Sequence, residues 1–192
     1  MLVELGGGTK PHPRASVVID LHHPLNAPAQ DATVTPWVMN LGTIADGKVD
    51  EVYSSHFLEH IPRGQPLIDV MNEAWRILKP GGTFFSTLPL VGYTSLDGLP
   101  QSSHIGWQPW ADPTHVSYWW LPEALHYFTT EVAAADYGIQ MWSPLKGFMP
   151  PDKAVELVQL QFDSAPPAQS WWSVRDHWEG IFCLAKPDLT ES

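Results

Sequence analysis

The chain has 192 residues, 44% hydrophobic and 16% charged, which suits one domain with a sizeable core and excludes a disordered chain. Its formal net charge of −11 disfavours nucleic acid, which needs a basic surface to displace counterions, and an anionic membrane as partners. Cys183 is the only cysteine, so neither an intrachain disulfide nor a cysteine-based zinc site can form. The N-terminus carries no basic-then-apolar leader and no apolar run reaches transmembrane length. The expectation is a soluble, cytoplasmic protein with a small-molecule partner.

Leu2-Val3-Glu4-Leu5 is too short an apolar run for a helix and reads as a buried strand. Gly6-Gly7-Gly8 follows at once, then the β-branched run Val17-Val18-Ile19, ending at Asp20. A strand, a glycine turn, a second strand and an acid at its tip fit the nucleotide-binding half of a doubly wound sheet, in which the acid accepts ribose hydroxyls, and fit equally a glycine-rich turn between two ordinary core strands. The connection after Gly8 contains Pro11 and Pro13 and is too short for a crossover helix, so a loop or single turn is expected. Trp37-Val38-Met39 reads as a third strand ending at Asn40, and Val49–Ser55 as a fourth.

His56–His60 is expected as a short helical turn broken by Pro62. Leu67, Val70, Met71, Ala74, Trp75 and Leu78 share one face of a helix over Gln65–Leu78, with Arg76 and Lys79 in its last turn and Pro80-Gly81-Gly82 ending it. Thr83–Leu88 is a fifth strand. Residues 89–120 lack periodicity and read as a long functional loop or lid. Leu121–Phe128 and Thr130–Ala135 are expected helical, with Thr130 as a possible N-cap; Ile139–Leu145, Ala154–Phe162 and Gly180–Lys186 are expected strands. The sum is one α/β domain: a Rossmann-like, doubly wound, mostly parallel seven-strand sheet with an antiparallel last strand.

Several residues invite chemistry. His56-Phe57-Leu58-Glu59-His60 spells the inverted zinc-peptidase pattern, with Glu123 or Glu131 as a third ligand. Pro62 leaves little helix to hold the pair, and the sequence is read as having no metal site. His115, in Asp112-Pro113-Thr114-His115, could act as a general base near neutral pH; the plainer reading is that Asp112 caps a turn and His115 bonds backbone. His22-His23 reads as solvated loop. Trp107, Trp110, Trp119 and Trp120 could wall a pocket for an apolar or cationic group, or pack the loop; Trp171-Trp172 could be an interface.

Four blocks in order, 3–11, 18–21, 49–60 and 73–82, resemble the class I S-adenosylmethionine-dependent methyltransferases, best their compact bacterial and phage-type members. The resemblance covers most of residues 2–88 and fades beyond about residue 145. It implies S-adenosyl-L-methionine as cofactor, held by Glu4, Gly6, Gly7, Gly8, Asp20, Leu21, Asn40, Leu41, Ser54, Ser55 and His56. Asp20 would hold the ribose; Asn40 stands where the family commonly has an acid near the adenine; Ser54, Ser55 and His56 would lie beneath the methionine part. It further implies methyl transfer to the oxygen or nitrogen of a small molecule, with His115 and His60 as catalytic candidates. Residues 2–88 would be the cofactor half, 89–120 the lid and 121–192 the substrate side. A catalytically silent module is the alternative, and a homodimer could cap the site.

Overall fold

The computed structural model describes residues 1–7, 12–19, 41–94, 100–102, 112–121, 123–145, 172–175 and 179–188, and every structural statement concerns these. The strands are β1 (Leu2–Leu5), β2 (Val17–Ile19), β3 (Val49–Ser55), β4 (Leu78–Thr94), β5 (Pro100–Ser102), β6 (Trp119–Leu121), β7 (Ser143–Pro144), β8 (Trp172–Arg175) and β9 (Glu179–Ala185). The helices are α1 (Gln65–Ile77), α2 (Glu123–Thr129) and α3 (Glu131–Tyr137), with a 3-10 turn at Leu58–His60.

The main sheet path runs β2-β1-β3-β4-β9-β7. β1 lies parallel between β2 and β3, with Val3 opposite both Val17 and Val52. All four of its residues are buried, which is why it reads as an unbroken apolar run apart from Glu4. β4 continues the parallel half, and β9 pairs antiparallel to it with Phe84 opposite Leu184. The mixed, mostly parallel α/β sheet matches the sequence expectation. The core gathers on the α1 side: Val3, Leu5, Val52 and Phe84 from the sheet meet Val70, Met71, Ala74 and Ile77. α1 opens with proline in its first turn, where the lost N–H costs nothing.

The structure redraws several elements. α1 ends at Ile77 because Leu78 is already extended and joins β4. Lys79 therefore lies outside the last helical turn, and its Nζ donates to Asp50 Oδ1 at 2.6 Å. The segment 89–120 is not uniformly irregular: β4 runs on to Thr94, β5 folds back on it, and β6 pairs beside it. Tertiary pairing supplies those backbone bonds without an alternating pattern in the sequence. Thr130 stands at the N-cap of α3 but offers no side-chain cap; its Oγ1 donates back to His126 O at 2.8 Å. The strand expected over Ile139–Leu145 shrinks to Ser143–Pro144. Trp172 belongs to β8, opposite Phe182. The expectations for Trp37–Met39, His22-His23, Trp107, Trp110, Ala154–Phe162 and Trp171 lie outside the described residues.

Gly180 marks the tightest approach in β9. A Cβ there would lie 2.8 Å from both Leu121 Cδ1 and Leu90 Cδ2. Gly180→Ala is expected to cost about 1–2 kcal/mol in chemical denaturation, because the leucines must shift within a close-packed layer.

Candidate active site

The chain passes from β1 to β2 on one side and returns to β3 on the other, so the sheet order reverses at β1. In doubly wound sheets the crevice beyond the carboxyl ends of the strands at such a reversal takes the ligand. Register sets the three tips level: Leu5 lies opposite Ile19 and Ser54.

Gly6 leaves β1 with φ +76°, the left-handed region, and its N–H donates to Ile19 O at 2.9 Å. A Cβ on Gly6 would lie 2.7 Å from Phe57 Cβ, so the turn packs against the segment leaving β3. Gly7 follows, half-buried. Ser54 and Ser86 are adjacent in register and fully buried, and neither hydroxyl has a hydrogen-bond partner among the described residues. Ser55 Oγ and Thr87 Oγ1 share a hydrogen bond of 3.1 Å.

Of the implied cofactor residues, the structure brings Gly6, Gly7, Ser54, Ser55 and His56 to this end of the sheet. Glu4 stands back within β1, its Oε2 accepting the His12 N–H at 2.6 Å and so tying down the β1–β2 connection. Leu41 is fully buried in the core, and its carbonyl accepts from Arg76 Nη2 at 3.1 Å. Arg76 also donates from Nη1 to Ile44 O at 2.9 Å, so one side chain pins the backbone of 41–44 to the end of α1. Gly8, Asp20, Leu21 and Asn40 lie outside the described residues.

Next to the strand tips lies a cluster of titratable groups. His56 has φ +49°, the only non-glycine with positive φ among the described residues. Left-handed backbone on a non-glycine residue at a strand tip is a strained geometry of the sort found at functional sites. Its Nε2–H donates to Glu179 Oε1 at 2.7 Å, and its Nδ1 lies 3.4 Å from Glu59 Oε1. Burial works against the imidazolium, but hydrogen bonds to Glu179 and then Glu59 outweigh it and push His56 up to about 9. Both carboxylates are buried, at 1% and 0% exposure.

The loop carrying His115 is zipped to the 3-10 turn. Glu59 O accepts Val116 N–H at 2.8 Å and Ser117 N–H at 3.0 Å, and Ser117 Oγ donates to Leu58 O at 2.9 Å. Asp112 caps its own turn, with Oδ1 accepting Thr114 N–H at 2.8 Å and Thr114 Oγ1–H at 2.5 Å. Those bonds hold the Asp112 carboxyl below the usual range. The His115 backbone N–H donates to Asp112 O at 3.2 Å. The rings of His60 and His115 meet edge-on, centroids 4.8 Å apart. His60 Nδ1–H is shared between Thr114 Oγ1 at 3.0 Å and Thr114 O at 3.2 Å. In the neutral ring that arrangement leaves the lone pair on Nε2.

This geometry departs from the inverted peptidase pattern. The turn is 3-10 rather than α, and the Nε2 of His56 is committed to Glu179. Glu123 and Glu131 are exposed at the starts of α2 and α3. Sequence reasoning missed Glu179; the available signal was a lone acid opening the apolar run Gly180–Leu184. A separate cleft of about 370 Å³ is lined by Trp119, Tyr127, Phe128 and Tyr137, with Arg63 among them, and by no residue of the strand tips.

Residues 12–86 match the family model described as a methyltransferase domain. No curated protein matches the chain. Among solved structures, an S-adenosylmethionine-dependent methyltransferase from Thermotoga maritima is similar at 14% identity and TM-score 0.52, covering 96% of this chain and 81% of that one. One from Archaeoglobus fulgidus is similar at 14% identity and TM-score 0.48, covering 96% and 85%. Phosphoethanolamine N-methyltransferase 2 of Haemonchus contortus, in complex with S-adenosylmethionine, is similar at 13% identity and TM-score 0.47, covering 97% and 48%. The methyltransferase-domain match covers residues 12–86, and the likeness to the Thermotoga maritima structure shows that the chain shares the fold of S-adenosylmethionine-dependent methyltransferases.

Proposed function

We propose that the chain transfers the methyl group of S-adenosylmethionine to an oxygen or nitrogen of a small molecule. The observation that carries this reading is the left-handed Gly6 turn at the sheet reversal, inside a chain whose segment 12–86 matches a methyltransferase domain. The sulfonium already activates the methyl. The protein needs to bind the donor, align the acceptor behind the methyl and keep water out.

In this reading Gly6, Gly7 and Gly8 let the backbone approach the donor. Asp20 takes the ribose hydroxyls, Leu21 and Asn40 flank the adenine, and Ser54, Ser55 and His56 lie under the methionine part. His115 and His60 take a proton from an acceptor that carries one. His60 suits that role through its Nε2 lone pair, while Asp112 Oδ2 and Glu59 Oε1 lie 3.7 and 3.9 Å from His115 Nε2. The acceptor comes from the side of residues 89–192. A cytoplasmic setting belongs to the same reading and rests on composition alone.

Calorimetric titration with S-adenosylmethionine and S-adenosylhomocysteine, followed by transfer of an isotopically labelled methyl to a panel of small amines and hydroxyl compounds, tests the proposal. Binding with a labelled product supports it. Binding without product on any acceptor favours a silent binding module, and no binding defeats both. Asp20→Ala is expected to weaken donor binding by about 1–3 kcal/mol, the cost of losing a hydrogen-bonding partner. An unchanged affinity would remove the ribose assignment.

A further inference from the structure

We propose that Glu59, His60 and His115 form a binding site for a single divalent transition-metal ion of the zinc class. The inference stands on the side chains alone and does not depend on the methyl-transfer reading.

One ligand atom from each residue lies within 4.8 Å of the others. Glu59 Oε1 is 4.0 Å from His60 Nε2 and 3.9 Å from His115 Nε2. A tetrahedral ion with bonds of about 2.0–2.1 Å sets its ligand atoms about 3.4 Å apart, so the two carboxylate distances must close by about half an ångström and the widest separation, up to 4.8 Å, by up to about 1.4 Å. Rotation of the two imidazole side chains would supply that.

Glu59 gives the independent pointer. It is 0% exposed; Oε1 has only the long 3.4 Å contact to His56 Nδ1, and Oε2 has no hydrogen-bond partner among the described residues. Buried carboxylates are normally hydrogen-bonded, paired or bound to metal. His56 only partly answers this demand, because its Nε2–H is given to Glu179 and its Nδ1 stands 3.4 Å off. The other two partners within reach are imidazoles, which are metal ligands in their neutral form.

The surroundings resemble the support around metal-bound histidine. His60 donates its Nδ1–H to Thr114, which orients the ring and leaves Nε2 as the ligand atom. Glu59 and His60 are neighbours on one turn, and His115 is held beside them by the backbone bonds from Val116 and Ser117 to the Glu59 carbonyl. Two imidazoles and one carboxylate suit zinc or cobalt rather than the oxygen-seeking magnesium or calcium. Three protein ligands leave a fourth position open. With an ion bound, both imidazoles serve as ligands and cannot act as bases, so this assignment and the proton-accepting one are mutually exclusive.

The test is a titration of untagged, chelator-treated protein with Zn²⁺ against a chromophoric chelator, and with Co²⁺ followed by visible absorption. One saturable ion per chain, an intense tetrahedral Co²⁺ band and a raised melting temperature are expected. His115→Ala and His60→Ala should each weaken Zn²⁺ binding by about 100-fold or more, given that loss of even a supporting partner costs 10–100-fold. His126→Ala, at an exposed position on α2, should leave it unchanged. Glu59→Gln completes the set if it folds; the two histidine variants decide the matter if it does not. Absence of saturable binding, or binding that survives His115→Ala, overturns the site. Donor titration on the same samples reports separately on the methyltransferase reading.

Discussion

Gly6→Ala is expected to cost about 2–4 kcal/mol of folding stability and to remove measurable S-adenosylmethionine binding. Two penalties meet at this position. The backbone sits at φ +76°, where a Cβ crowds the following carbonyl. The same Cβ would lie 2.7 Å from Phe57 Cβ, an atom next to the backbone that cannot swing away. Relief requires the turn and the segment after β3 to separate, and that widens the crevice in which the donor would lie. Gly47 supplies the comparison. It has φ +63° with nothing within 4 Å of a built Cβ, so Gly47→Ala should show the backbone penalty alone, about 1 kcal/mol. Equal losses for the two variants in denaturant titrations, or donor binding retained by Gly6→Ala, would defeat the steric account.

The second large effect lies in the His56–Glu179 pair. The folded protein raises His56 from 6.5 to about 9, so the charged ring favours the native state. That stabilisation is fully present below about pH 6.5 and is lost as pH rises through 9. The ring is 40% exposed and solvent screens the pair, so the loss is about 1–2 kcal/mol rather than the full linkage value. The groups facing the ring are Glu59 beside it on the 3-10 turn and Glu179 from β9. Glu179→Leu should destabilise the protein by about 1–3 kcal/mol at pH 7, because it strands part of the charge on His56 beside a single distant carboxylate. It should also flatten the stability profile between pH 6.5 and 9. A steep fall of the native protein towards low pH across pH 8 to 6.5, or an unchanged profile in Glu179→Leu, would reverse the assignment.

Buried strands write themselves as short apolar runs: Leu2–Leu5 and Val17–Ile19 of the parallel half, and Gly180–Leu184 of antiparallel β9, all appear where the pattern put them. α1 was legible from its spacing to within one residue. The glycine turn was legible because it needs special backbone, whereas His56 was set at the strand tip by the family resemblance and its left-handed backbone had no sign in the sequence. What failed has a common physical source. The extension of β4 to Thr94, the return of β5 and the shortness of β7 are decided by which strand lies alongside, and a local window carries no record of that. The site shows the same split. His56, His60 and His115 could be named singly, yet their convergence on Glu59 depends on backbone bonds between 59 and 116–117, and the role of Glu179 depends on β9 lying beside β4.

β9 has a consequence for assembly. It enters the sheet between β4 and β7, although both precede it in the chain, and it delivers Glu179 to a histidine 123 residues upstream. A nascent chain that has not yet emitted this strand holds His56 without its nearest carboxylate and leaves the β4 edge open along Thr83–Pro89. Such high contact order implies slow closure, and the exposed edge is a template for pairing between chains. The charged cluster therefore completes only once β9 has been made, and the interval between β4 and β9 is one in which the open edge invites pairing between chains.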